Sequence, residues 1–314
     1  MRNAFAAELT RLAQADDRIV LLSGDIGNRL FDPFKAACPA RFRNCGVAEA
    51  NMIGVGAGLA LSGLRPVAYT ITPFLTTRCL EQIKLDVCYH AAPLVIVAVG
   101  AGLSYANLGP THHSFEDLAI LRTLPGLAIV CPADPLETAA ALRAALAHPG
   151  PVYLRLGKKG EPAVYEAPPD FAIGRAITLR EGADGVILCC GTLMPNALAA
   201  AELLAGRGLA VGVINMHTVK PLDTDCLGRV FADARWVVTL EEHGLIGGFG
   251  GAVAEWLADQ VPYPARLLRC GIPDRFIHEA GDQTYARQKA GLDPAGLAER
   301  IEAFSRAVAA RETA

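Results

Sequence analysis

The stretch NCGVAEANMIGVGAGLALSG (44–63) sets one carboxylate, Glu49, at the mouth of a run of small and apolar side chains. An acid in the first turn of a helix is favoured by the helix dipole, and that alone explains many such residues. Here Ala48, Gly54, Gly56, Ala57 and Gly58 also keep the helix slim, so that a flat ligand or a partner helix can come close and leave the acid poorly hydrated. A carboxyl so placed can hold or share a proton near neutral pH.

Other residues invite chemistry with it. Phe74 stands where a strand gives way to a helix, with Arg78 nearby, and could offer a ring face at the carboxyl edge of a sheet, where open α/β sheets bind ligands. A Gly/Pro turn delivers His112 and His113 ahead of a helix capped near Ser114, with Asp117 in its first turn. Without a third ligand at metal spacing, the histidine pair reads either as substrate-contacting or proton-transferring groups, or as structural ones. Lys158 and Lys159 leave a strand end, as solvated surface or as contacts for an anionic substrate. His217 and His243 read as structural.

Something must hold these residues together. Apolar runs at 19–24, 66–72, 93–100, 127–132 and 151–156 alternate with helical patterns at about 2–14, 49–62, 74–90 and 135–147, the signature of a mostly parallel sheet covered on both faces. The pattern lapses after residue 157 into a Pro, Gly and charge-rich stretch. A second α/β series follows, with strands at 185–191, 210–216 and 236–242 and a C-terminal amphipathic helix. The expected class is α/β, with two three-layer α/β/α domains at 1–165 and 185–314 and a linker at 166–184.

Composition narrows the function. A net charge of -3 in 314 residues provides no basic field for nucleic acid or an anionic membrane. The nine cysteines show no CxxC and no Cys/His ligand spacing, which suits reduced thiols in the cytoplasm. No signal peptide and no membrane-spanning run is expected. GVGAGLALSG lies inside a helix and lacks the acid a dinucleotide fold places about twenty residues on. GLIGGFGGAV (244–253) follows a strand, so a nucleotide-binding, non-catalytic α/β protein is the rival from another class.

Together GVAEANMIGVGAGLALSG, GPTHHSFEDLAILRTLPGL, TVKPLD and LEEHGLIGGFGG resemble the transketolase family of thiamine diphosphate enzymes, and more closely the C-terminal subunit of a split transketolase. The resemblance implies a pyrimidine-binding domain followed by a transketolase C-terminal domain. It implies that Glu49 hydrogen-bonds N1′ of the aminopyrimidine, so that the cofactor itself becomes the base at its thiazolium carbon. It implies that Phe74 stacks on the pyrimidine beside Arg78, that Asp25 lies near the cofactor, and that His112 contacts substrate oxygens with His113 adjacent. Arg2 and Lys158 fall where substrate-phosphate groups stand. The implied reaction transfers a two-carbon ketol unit from a ketose to an aldehyde. The β subunit of a 2-oxoacid dehydrogenase E1, or a deoxyxylulose phosphate synthase relative, is the nearest rival.

Departures sharpen the expectation. Leu108 replaces an aspartate that in the family reads substrate hydroxyls, and Gly100 replaces a frequent histidine, which points to a modified or deoxy sugar. The diphosphate and metal motif, GDG followed by Asn, does not occur. No metal ligand is therefore expected in this chain. Mg2+ (or Ca2+) and the diphosphate would be held by an N-terminal partner subunit, most simply in an α2β2 assembly, with this chain also meeting its own copy.

Overall fold

Runs of β-branched and other apolar residues become two sheets in the computed structural model, which describes residues 1–27 and 29–312. The strands are β1 (Ile19–Ser23), β2 (Phe42–Asn44), β3 (Arg65–Ile71), β4 (Val95–Val99), β5 (Ala128–Val130), β6 (Val152–Leu156), β7 (Ile177–Arg180), β8 (Gly185–Cys189), β9 (Val211–Asn215), β10 (Thr218–Lys220), β11 (Trp236–Gly244) and β12 (Arg266–Ile272). The first sheet runs β10-β5-β6-β4-β3-β1-β2 and the second β12-β11-β8-β9-β7.

Register explains why both faces of the first sheet are apolar. Leu22, Ala68, Ile96, Tyr153 and Ile129 stand in one row across it and bury towards one face; Leu21, Val67, Val95, Val152 and Ala128 form the next row and bury towards the other. Helices must therefore cover both sides. Arg2–Ala15 and Pro135–Ala147 pack together on one side, and Glu49–Leu61 lies against β3 on the other. In the second sheet Ile187 and Val238 face a layer that includes Met194–Ala205 and Pro294–Glu312. Its other face, through Val237 and Ile214, joins the same apolar cluster as Leu22 and Ile96, so one core runs through both units.

The stretch expected to be a mere connection, 166–184, contributes β7, an antiparallel edge strand on β9. The motif TVKPLD supplies β10, which crosses back and pairs antiparallel with β5 of the first sheet, covering an otherwise open edge. The long helix expected over 74–90 is instead broken. Thr72–Leu75 forms one turn, and the chain resumes as Leu80–Gln82 and a π-helical Ile83–Tyr89. Thr76 and Thr77 hydroxyls donate back to the Thr72 and Pro73 carbonyls at 2.8 and 2.7 Å, which competes with helix continuation. Ser114 does not cap a helix. Its backbone bridges to Gly102, and the helix that follows is Asp117–Leu121.

Buried polar groups lock the two units together. Asp117 accepts from Arg155 Nε at 2.7 Å and Nη2 at 3.0 Å, and from the Tyr153 hydroxyl at 2.7 Å. Arg155 Nη2 also donates to the Glu242 carbonyl at 3.1 Å. The Glu242 carboxylate accepts from the Leu103 amide at 2.6 Å, from Gln283 at 2.8 Å and from Arg287 Nε at 2.5 Å. No helix among the described residues is long and apolar enough to cross a membrane.

Candidate active site

Glu49 opens its helix and is 2% exposed. The loop after β1 comes so close that a Cβ on Gly24 would stand 3.4 Å from Glu49 Cγ and 3.0 Å from Thr70 Oγ1. The carboxylate accepts from Arg78 Nη1 at 2.7 Å. The same guanidinium lies over the Phe74 ring, its central carbon 4.5 Å from the centroid. Arg78 leaves the broken helix segment with 45% of its side chain exposed, so its other end reaches solvent.

From Phe74 the contacts continue from ring to ring. The His112 ring meets Phe74 edge-on with centroids 5.2 Å apart, and meets Tyr105 at 5.9 Å. His112 Nδ1 pairs with the Thr111 hydroxyl at 2.9 Å. Burial, aided by the neighbouring His113, lowers the His112 pKa, which favours a neutral imidazole at neutral pH. Beyond Tyr105, Lys158 Nζ sits 4.4 Å from that ring's centroid. Burial and the charges of Lys159 and Arg2 lower the Lys158 pKa. Arg2 carries a buried Nε without a hydrogen-bond partner, and its charge also acts on Tyr105 and Tyr69. A carboxylate, a stacked aromatic face, an imidazole and two cations thus follow one another.

The remaining expected residues take varied places. Asp25 is exposed at the tip of β1 with a left-handed φ of 56°, exchanging hydrogen bonds with the Asn44 side chain at 2.8 and 3.2 Å. Leu108 ends a short 3-10 turn, 47% exposed. His113 is buried, its Nε2 paired with the Ala106 carbonyl at 3.2 Å and its Nδ1 without a hydrogen-bond partner. His217 and His243 are fully buried, with pKa values lowered to about 4 by burial, and His217 stacks on Phe171 at 4.1 Å.

Two residues escaped the sequence reading. Tyr105 lies between the imidazole and the lysine, and Glu242 grips the loop that carries both Tyr105 and His112. The aromatic next to the GPTH turn was a usable signal for the first. The second contact spans 139 residues and left none. Among the described residues no group of three or more His, Cys, Asp or Glu side chains is arranged to hold a metal ion.

Known proteins match nearly the whole chain. The family described as "Transketolase, pyrimidine binding domain" matches residues 1–161, and "Transketolase, C-terminal domain" matches 174–297. The 6-deoxy-6-sulfo-D-fructose transketolase subunit SqwH of Clostridium sp. (strain MSTE9) is 40% identical over 293 residues, which is 93% of this chain and 90% of that one. An apulose-4-phosphate transketolase subunit of Phocaeicola vulgatus is 36% identical over 94% of both. A 1-deoxy-D-xylulose-5-phosphate synthase of Chlorobium phaeovibrioides is 38% identical, with 96% of this chain covering 48% of it. Among solved structures, one titled a split gene transketolase, inactive beta4 tetramer, superposes with a TM-score of 0.86 at 35% identity over 96% of both chains. The chain belongs to the transketolase family and corresponds to the C-terminal subunit of a split transketolase.

Proposed function

We propose that this chain is the pyrimidine-binding half of a two-subunit, thiamine diphosphate-dependent ketol transferase that is active only with its N-terminal partner. One observation carries the reading: between the Glu49 carboxylate and the Phe74 face lies the guanidinium of Arg78, a group that bears N–H donors and sits over the ring. An aminopyrimidine asks for the same two partners, an acid at its edge and an aromatic ring against its face. The residues present fit that end of the cofactor. Arg78, half in solvent, would swing aside or lie along its margin, with Asp25 nearby.

When bound, thiamine diphosphate supplies the carbon nucleophile that ketol transfer requires. Glu49 shares a proton with ring nitrogen N1′, and its burial beside Gly24 keeps water from competing for that proton. His112 holds or moves a proton at a substrate oxygen. Lys158 and Arg2 bind an anionic end of the substrate. Leu108 presents no acceptor, and a substrate hydroxyl buried against it would lose about 1–3 kcal/mol. That favours a modified or deoxy ketose. The names of the relatives support this, one for a sulfonated deoxyfructose and another for apulose phosphate.

The absence of a GDG motif supports a partner that holds the diphosphate with Mg2+ (or Ca2+), in an α2β2 assembly where this chain also meets its own copy. Free thiols at all nine cysteines suit a cytoplasmic setting. The test is reconstitution with a GDG-bearing subunit, thiamine diphosphate and Mg2+. The complex should turn over 6-deoxy-6-sulfo-D-fructose or another ketose with an aldehyde acceptor, and the chain alone should not. Pyruvate turnover without ketose turnover would move the function to the deoxyxylulose phosphate synthase type, and activity of the chain alone would end the split-site reading.

A further inference from the structure

The Tyr105 ring occupies space that no side chain at position 100 would leave open. Gly100 has φ +88°, and a Cβ built there would lie 2.1 Å from Tyr105 Cε2 and 2.3 Å from Cδ2. Both the backbone conformation and the contact call for glycine. The ring so admitted is 8% exposed and receives Lys158 Nζ on its face at 4.4 Å, while another part of it meets His112. The described contacts of Lys158 include no hydrogen bond or ion pair, and the Tyr105 ring is the favourable partner they give its ammonium, set among the like charges of Arg2 and Lys159. A lysine on a flexible stem otherwise loses rotamer entropy when it is fixed on a ligand.

We infer that Tyr105, made possible by Gly100, is the positioning residue for the anionic end of the substrate: its ring face holds Lys158 ready to meet a terminal tetrahedral oxyanion, a sulfonate or a phosphate. The inference rests on the proposed ketol-transfer reading for its kinetic arm only. Tyr105 sets where the cation stands, and so favours anionic donors over neutral ones. A ketose without the anion gains nothing from the Lys158 contact.

The kinetic experiment uses the reconstituted two-subunit complex with three donors: 6-deoxy-6-sulfo-D-fructose, D-fructose 6-phosphate and D-fructose. Tyr105→Leu should raise KM for the anionic donors by roughly tenfold relative to D-fructose, the size expected of a partly desolvated cation–π contact. Any effect passed through the His112 contact falls on all three donors alike, so the readout is the KM ratio of anionic donor to D-fructose, and Tyr105→Phe, which keeps the ring, should keep the wild-type ratio. Gly100→Ala should reproduce the Tyr105→Leu defect, and combining the two should add little to KM. The two anionic donors tell which oxyanion the site takes.

A second measurement needs no turnover. In the chain by itself, inorganic phosphate or methanesulfonate should protect Lys158 from acetylation in the wild type and in Tyr105→Phe, and fail to do so in Tyr105→Leu. Equal KM increases for charged and neutral donors, or unchanged protection in Tyr105→Leu, would overturn the assignment. A complex that turns over none of the donors would count against the proposed function, and the acetylation result would still decide the role of Tyr105.

Discussion

Arg78 and Glu49 form an ion pair at 2.7 Å in which the acid is buried and the base half exposed. Removing the arginine strands a buried carboxylate, yet the arginine also covers the Phe74 face that a flat ligand would use. Arg78→Ala should therefore destabilise the ligand-free chain by about 1–2 kcal/mol, an amount discounted for the exposed guanidinium. In the two-subunit complex the same variant should widen the rise in Tm produced by thiamine diphosphate, because only the ligand-free state has lost a contact. A narrower rise would mean that Arg78 bonds the cofactor directly.

The Glu242 carboxylate is the anchor by which the C-terminal unit holds the loop bearing Tyr105, Leu108 and His112. Glu242→Ala removes the acceptor for the Leu103 amide and leaves Arg287 without its carboxylate. Amide hydrogen exchange at residues 101–113 should speed up, while exchange in β1, β3 and β4 stays slow. Uniform acceleration would indicate general destabilisation and not a local tether.

Arg155 and Asp117 are both buried and joined by two hydrogen bonds, with Tyr153 completing the acid's shell. Breaking such a pair from one side is more costly than losing a surface bridge. Arg155→Met should lower the unfolding free energy by about 3–5 kcal/mol in denaturant titrations. Arg175→Met, at an exposed pair with Asp170, should change it by about 0–1 kcal/mol.

Acid sensitivity should trace in part to His217. Burial lowers its pKa from 6.5 to about 4 in the folded chain. Between those values the unfolded chain binds a proton that the folded chain does not, so stability is intact above about pH 6.5 and falls as pH drops towards 4, by up to about 3 kcal/mol. His217→Phe keeps the stacking with Phe171 and should flatten that slope. An unchanged slope would locate the acid sensitivity elsewhere.

Much of this was legible in the residues. The slim helix behind Glu49, the alternation of strands and helices, and the turn that delivers His112 are local patterns with local causes. What was hidden depended on partners far along the chain. The 166–184 stretch reads as loop until β9 pairs with β7, and TVKPLD reads as part of the second unit until β5 takes it as a neighbour. The helix over 74–90 looked continuous because its apolar spacing is helical, whereas Thr76 and Thr77 turn their hydroxyls on the backbone and stop it. Gly100 read as a missing histidine. In three dimensions it is the space that Tyr105 fills.

In the proposed reaction Glu49 shares its proton with the cofactor's ring nitrogen in a site completed by a second subunit. The direct measurement is kcat of the reconstituted complex carrying Glu49→Gln, taken with thiamine diphosphate saturating and its binding measured separately by calorimetry. Turnover should fall by about 10²–10⁴-fold, the usual span for loss of a positioned proton-transfer group, while the cofactor still binds. A variant that binds cofactor and retains most of its turnover would contradict the account.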